Sequence, residues 1–247
     1  MKRISGLRLA SCWLALLVPA VLAHARQSPL APVSDFRQMG VTRNFQSDVV
    51  TEVMRDRIGF LWIGTREGLF LYDGQRFRKF EHSLQDDGSL SSSGVRTILE
   101  DSQDRLWVAT ITGGLNLLDR AHWRVRHWRT GNGDRSPSHD GVFALAEAGE
   151  GRLWVGTQAG LDLLDPKNGR FRRAPLDKGG EFVMALHRDR RGRVWVGTLG
   201  EGLFRSDDGG RSFQRVHGED GEATPNDVFV LAEDARGQVW VATPAGL

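Results

Sequence analysis

A phrase of tryptophan, a small residue and threonine, closed by glycine and leucine, recurs five times and limits what this chain can fold into. It reads Trp62-Ile63-Gly64-Thr65 with Gly68-Leu69, Trp107-Val108-Ala109-Thr110 with Gly114-Leu115, Trp154-Val155-Gly156-Thr157 with Gly160-Leu161, Trp195-Val196-Gly197-Thr198 with Gly202-Leu203, and Trp240-Val241-Ala242-Thr243 with Gly246-Leu247. The tryptophans stand 45, 47, 41 and 45 residues apart and use five of the eight in the chain. A period of that length belongs to stacked repeats and, in a chain with 30 glycines and strand-like content, to the blades of a propeller.

Laid on its tryptophan, each repeat keeps register without a gap. Twelve residues before the Trp stand Val50, Val95, Val142, Val183 and Val228, and nine before it Val53, Ile98, Leu145, Leu186 and Leu231. Six before it stand Asp56, Asp101, Asp189 and Asp234, with Ala148 the exception; three before it stand Gly59, Gly151, Gly192 and Gly237, with Asp104 the exception. Asp at the first and Gly at the fourth position suit a tight turn, because the carboxylate bonds the turn amides and Gly relieves the exit. Each unit therefore opens as a hairpin. A third strand follows the Gly-Leu and a fourth, more polar one carries spaced aromatics such as Phe77, Phe80, Trp123 and Trp128.

The expected fold is all-β: a β-propeller of four-stranded antiparallel blades over about 49–81, 94–128, 141–174 and 182–217, with a partial fifth over 227–247. Trp62, Trp107, Trp154, Trp195 and Trp240 are expected between neighbouring blades, where a single sheet cannot bury its face alone. Propellers close with about four to eight blades, so four complete blades and a truncated fifth predict the front of a larger propeller. Residues 36–45 are then expected as a latch strand covering an otherwise exposed edge.

Residues 1–25 read as a secretory signal, with Lys2, Arg3 and Arg8, an apolar run from Leu9 to Leu22, and Ala23-His24-Ala25 as the small-x-small cleavage site. A tether follows at 26–35. The formal charge of +2 owes its sign to that leader; without it 30 basic residues face 31 acidic ones. Interspersed, near-neutral charge gives no footprint for nucleic acid, which needs a clustered basic face. Cys12 is the only cysteine, so the mature domain has no disulfide, thiolate chemistry or Cys-based metal site.

The phrase V-x-x-I/L…D-x-x-G-x-L-W-V-G-T-x-x-G-L resembles the two-component regulator propeller repeat, over roughly residues 36–247. The resemblance implies an exported, periplasmic sensor region of a bacterial membrane receptor, followed by a membrane helix and a cytoplasmic histidine kinase, diguanylate cyclase or DNA-binding output. It also implies self-association in the whole receptor. Ala109, Ala242, Ala148 and Asp104 depart from the motif. Independently, Ser206-Asp207-Asp208-Gly209-Gly210-Arg211-Ser212-Phe213 fits the Asp box that sits between the third and fourth strands in other propellers.

No catalytic site emerges. Tyr72, the only tyrosine, occupies a repeated third-strand position, and the repeated aspartates are explained by turns. His82, His122, His127, His139, His187 and His217 are scattered without metal-ligand spacing, and no phosphate-binding loop is present; no metal or cofactor is expected. Strand alternation puts the connection between strands two and three at the same end as the long connection between blades. Arg66, Glu67, Thr112, Gln158 and Glu201 lie there and are expected to contact an unidentified small-molecule or glycan ligand, because rigid scaffolds carry binding groups on loops. The alternatives are a secreted glycan-active propeller enzyme and a pure protein-interaction scaffold.

Overall fold

Residues 45, 49–176, 182–217 and 225–246 are described in the computed structural model, within the unit Val41–Leu247. The leader, the tether and the latch segment apart from Phe45 lie outside the described residues. Blade 1 is β1 (Val50–Arg55), β2 (Leu61–Thr65), β3 (Gly68–Tyr72) and β4 (Phe77–Phe80); blade 2 is β5 (Val95–Glu100), β6 (Leu106–Thr110), β7 (Leu115–Asp119) and β8 (Arg124–Trp128). Blade 3 is β9 (Val142–Gly149), β10 (Arg152–Thr157), β11 (Gly160–Asp165) and β12 (Arg170–Arg173). Blade 4 is β13 (Phe182–Arg188), β14 (Val194–Leu199), β15 (Leu203–Ser206) and β16 (Gln214–Arg215), and β17 (Val230–Glu233) pairs with β18 (Val239–Ala242) in a fifth sheet. Within each sheet the strands pair in sequence order and antiparallel.

The aspartate six residues before each tryptophan holds two structures at once. One oxygen takes turn amides: Asp56 Oδ1 accepts the N–H of Gly59 (2.9 Å) and Phe60 (2.8 Å), and Asp101, Asp189 and Asp234 repeat the pattern. The other oxygen accepts the tryptophan indole N–H, at 2.9 Å from Trp62, 2.7 Å from Trp107, 2.9 Å from Trp195 and 3.2 Å from Trp240. Turn formation alone is thus an incomplete account of these aspartates; each also holds its tryptophan ring, and Asp56, Asp101 and Asp189 hold rings that pack on the next blade, while Trp240 is half exposed. Arg120 adds a clamp across blades 1 and 2, its Nη1 lying 3.2 Å from Asp56 and 2.7 Å from Glu100.

The core is a series of seams between blades. Trp62 clusters with Leu106, Val108, Leu118 and Val125 of blade 2; Trp107 with Leu153, Val155, Leu164 and Phe171 of blade 3; Trp154 with Val194, Val196, Phe204 and Phe213 of blade 4; Trp195 with Val228 and its neighbours. The small residue after the tryptophan makes room for the inner strand of the next blade. A Cβ on Gly64, Gly156 or Gly197 would lie 2.8, 2.6 or 2.5 Å from Cγ1 of Val95, Val183 or Val228. The motif valine and the motif glycine are therefore two halves of one contact. At the rim, the Glu seven residues before Trp accepts a turn amide of the preceding blade: Arg57 N–H to Glu100 (2.7 Å), Ser102 N–H to Glu147, and Arg190 N–H to Glu233 (3.1 Å).

The third seam departs from this plan. With Ala148 in place of Asp, β9 runs on to Gly149 and the chain reverses through Glu150 and Gly151, both left-handed (φ 54 and 73), the conformation of a two-residue hairpin turn. Arg188 stands where the next blade carries a Glu elsewhere. The Asp box, between β15 and β16, closes the seam instead. Asp208 accepts from Ser206 (2.7 Å), Arg211 N–H (2.9 Å), Ser212 N–H (3.0 Å) and Ser212 Oγ (2.6 Å), bonds that hold its carboxyl far below the usual range. Gly210 (φ 87) is pressed onto Trp154, where a Cβ would lie 2.1 Å from Cζ2, and Phe213 meets the same ring edge-on at 5.9 Å.

Long connections between blades are pinned by a buried polar residue on the third strand. Asn116 Oδ1 accepts Ser91 N–H (2.9 Å) in blade 2, and Asp162 Oδ2 accepts Ser138 N–H (2.7 Å) in blade 3. Burial pushes the Asp162 carboxyl above its ordinary 3.8, against the Ser138 bonds. Asp101 and Asp189 go the other way: burial pushes each up, but the indole, arginine and turn-amide bonds outweigh it.

Two predictions follow from these contacts. Gly156→Ala, whose Cβ has no room beside Val183, is expected to lower stability by about 1–3 kcal/mol by overpacking, measured by urea unfolding, and Val183→Ala in the same chain to recover part of the loss. A carboxyl lowered by folding contributes stability that is complete above its unfolded pKa and lost as pH falls through its folded one, while a raised carboxyl contributes stability that is complete below its unfolded pKa and lost as pH rises through its folded one. Asp101→Asn and Asp189→Asn are therefore expected to flatten the fall of the urea midpoint below about pH 5. Asp162→Asn, which copies Asn116, is expected to raise the midpoint at pH 7 and leave it unchanged near pH 3; a lower midpoint at pH 7 would contradict the assignment.

Candidate functional site

The motif threonine shapes the end of the propeller that carries the sequence-predicted residues. Thr65 Oγ1 donates to the Gly68 carbonyl (2.9 Å) and accepts Glu67 N–H (3.1 Å), and Thr157 does the same with Gly160 (2.9 Å) and Ala159 (3.1 Å). Thr110, Thr198 and Thr243 also donate to their motif glycine. With the turn closed by its own side chain, the intervening residues are turned outward. Arg66, Glu67, Thr112 and Gln158 are exposed and Glu201 is half-buried, in the β2–β3, β6–β7, β10–β11 and β14–β15 turns.

These five share an end of the fold but not a common cluster. Thr112 Oγ1 lies 3.1 Å from Ser92 Oγ, and among the described residues the side chains of Arg66, Glu67, Gln158 and Glu201 form no hydrogen bond or ion pair. The connections around them are well anchored. His82 Nδ1 is 2.8 Å from the Leu90 carbonyl, Leu90 is buried in the first seam, and Ser138 Oγ is 2.8 Å from Thr157 Oγ1. A fixed loop face suits recognition, because little ordering is left for a ligand to impose.

Sequence reasoning missed a second group at the same end of the inner strands. Eleven residues before each tryptophan stand Thr51, Arg96, Phe143, Met184 and Phe229, unlike side chains beside a column of invariant valine. The Arg96 guanidinium lies 5.7 Å above Phe143, whose ring meets Phe182 edge-on at 4.7 Å. The neighbouring Thr97 hydroxyl donates to Glu52 (3.1 Å); burial pushes the Glu52 carboxyl up, with Thr97 and Arg96 opposing it. Flat apolar faces beside a cation and a half-buried carboxyl can take a ligand that presents both an apolar face and hydroxyl groups. The signal in the sequence was the failure of that one column to repeat.

At the opposite end two clefts open beside the turns. One of about 540 Å³ is lined by Asp104, Arg105, Asp119, Arg120, Arg124 and Arg126, and one of about 360 Å³ by Phe60, Asp73, Arg76, Phe77, Arg78 and Trp123. Trp123 is left-handed (φ 57) where blade 3 has Gly169 (φ 72), and each donates its N–H to the aspartate four residues before, at 2.8 Å. Bulky residues rarely adopt that conformation; here the ring is held by Arg78 at 4.5 Å on its face and by Phe80 at 5.5 Å. Tyr72 has a structural place, stacked on Phe77 at 4.7 Å with its hydroxyl donating to Gly74. Among the described residues no three His, Cys, Asp or Glu side chains gather as a metal site.

Comparison with known proteins agrees with this architecture. The two-component regulator propeller profile matches residues 89–112, 136–159 and 177–200, each match placing its tryptophan 18 residues after its first residue. The extracellular domain of the hybrid two component system BT3049 from B. thetaiotaomicron aligns at TM-score 0.72 and 22% identity over 84% of this chain and 29% of that one. The corresponding domain of BT4673 from the same organism aligns at TM-score 0.62 and 18% identity over 80% and 27%. Virginiamycin B lyase from Staphylococcus aureus shares the fold at TM-score 0.61 and 12% identity, over 82% and 69%. The chain thus spans under a third of the two extracellular domains it resembles. No curated protein matches it in sequence. With the motif in register in three matched repeats, the chain is a β-propeller whose repeats are similar to the two-component regulator propeller repeat.

Proposed function

We propose that this propeller is the exported, ligand-sensing region of a membrane-anchored bacterial signal-transduction receptor. The observation that carries the reading is the coincidence of the resemblance to that repeat with a division of labour along each blade: recurring packing residues in the seams, unlike exposed residues on one end. Propellers of similar fold are extracellular domains of hybrid two component systems, and the basic, apolar and small-residue segments of 1–25 fit export. Among the described residues no helix is long and apolar enough to cross a membrane; the reading gives the whole receptor a membrane anchor and a kinase or cyclase output.

In this reading a small molecule or glycan meets the loop face at Arg66, Glu67, Thr112, Gln158 and Glu201, and at the inner rim around Arg96 and Phe143. It changes the output by binding two arrangements of the receptor with different affinity, the only way a ligand shifts an equilibrium. Self-association of receptor copies supplies such a pair of arrangements.

Two measurements test this. A periplasm-dependent phosphatase fused after residue 247 is expected to be active with the leader intact and silent when residues 2–25 are deleted; activity without the leader would remove the export step. In the whole receptor, alanine at the five loop-face positions is expected to raise the inducing ligand's half-maximal concentration at least about tenfold, while each surface change alters stability by no more than about 0.5 kcal/mol. An unchanged dose response with the loop face stripped would overturn the site.

A further inference from the structure

A buried indole N–H requires an acceptor, and Trp154 has none among the described residues. The ring is 1% exposed, and both its Nε1 and the Nε of Arg152 are buried without an acceptor. These are the two donors that blades 2 and 4 direct at a single carboxylate oxygen. Arg105 Nε and Trp107 Nε1 lie 2.6 and 2.7 Å from Asp101 Oδ2; Arg193 Nε and Trp195 Nε1 lie 2.6 and 2.9 Å from Asp189 Oδ2. Blade 3 keeps both donors at the same sequence distances and has Ala148 where the acceptor belongs.

The nearby acids do not take its place. Glu150 is exposed and meets Arg152 through Nη2 at 2.9 Å, leaving Nε, while Glu147 accepts Ser102 N–H across the seam. A third cation is close, with Arg188 Nη2 3.8 Å from where a Cβ on Gly149 would be. The indole cannot swing to another acceptor, because Gly210 is pressed against its ring. Two buried donors without an acceptor call for an anion, with the Arg188 guanidinium set against the charges of Glu147 and Glu150; the aspartate that the sister blades hold at the Ala148 position sets its size at about that of a carboxylate group.

We propose that blade 3 binds a small monovalent anion, a one-carbon carboxylate or a halide, held by Trp154 Nε1 and Arg152 Nε beside Ala148. The anion supplies in trans the charge that the sister blades build in. Its binding strengthens the seam between blades 3 and 4 and makes that seam responsive to the ionic composition of the compartment.

The whole chain is melted at pH 7 in sodium methanesulfonate, too bulky for the site, and in mixtures with sodium formate or sodium chloride at one ionic strength. Formate, chloride or both are expected to raise the midpoint saturably, by about 2–4 °C for a site of ordinary strength; whichever anion acts identifies the ligand. Ala148→Asp is expected to melt higher than the parent and to lose the response, and Arg152→Gln to need about tenfold more anion for the same rise. A parent midpoint indifferent to both anions, or an Ala148→Asp response equal to the parent's, would overturn the proposal. Should Ala148→Asp fail to fold, an unchanged anion requirement in Arg152→Gln would do so alone.

Discussion

An indole buried between two sheets must hand its N–H to an acceptor, and the geometry of this propeller depends on where that acceptor is kept. Burying one such ring removes roughly 150–250 Å² from water, or about 4–6 kcal/mol at about 25 cal/mol per Å²; a hydrogen bond to a charged group contributes about 1.5–3 kcal/mol. Apolar burial therefore sets the strength of each seam, and the aspartate sets its direction. Because Asp101 belongs to the hairpin turn and bonds Trp107 as well, the turn and the seam cannot vary independently. Repetition at this point lets blades stack one on the next, each needing only its neighbour.

The two ends of the blades are then free to differ in purpose. At one end the carboxylates consume the turn amides and the conserved geometry leaves little room for change. At the other, the motif threonine closes its own turn, so Arg66 and Glu67 can be replaced without disturbing Trp62 or Val95. That separation of stability from surface chemistry lets one repeat carry many different surfaces, with the inner-strand column from Thr51 to Phe229 extending the variable surface toward the centre.

Most of the architecture was legible in the sequence because seam packing is periodic: valine, glycine and tryptophan each occupy a fixed place, and a larger residue at the glycine would meet the next blade's valine. The second role of the aspartates was not, since a turn already accounts for Asp and Gly at that spacing and nothing local points six residues ahead to an indole. Arg120 was hidden for a similar reason; its partners Asp56 and Glu100 come together only when two blades meet. Trp123 looked like one more outer-strand aromatic, because a left-handed backbone leaves no trace in composition. The loop-face residues were found by topology alone, which places them on one end without saying which of them converge.

The clasp at the third seam carries a consequence for how the ring responds to its surroundings. Where the other seams join through an aspartate and a glutamate, this one closes largely through Gly210 and Phe213 laid against Trp154. Contacts of that apolar kind lose strength on cooling, whereas the carboxylate bonds do not depend on water in the same way. Cold should thus loosen one junction ahead of the rest, giving an otherwise regular stack of blades a preferred place to part.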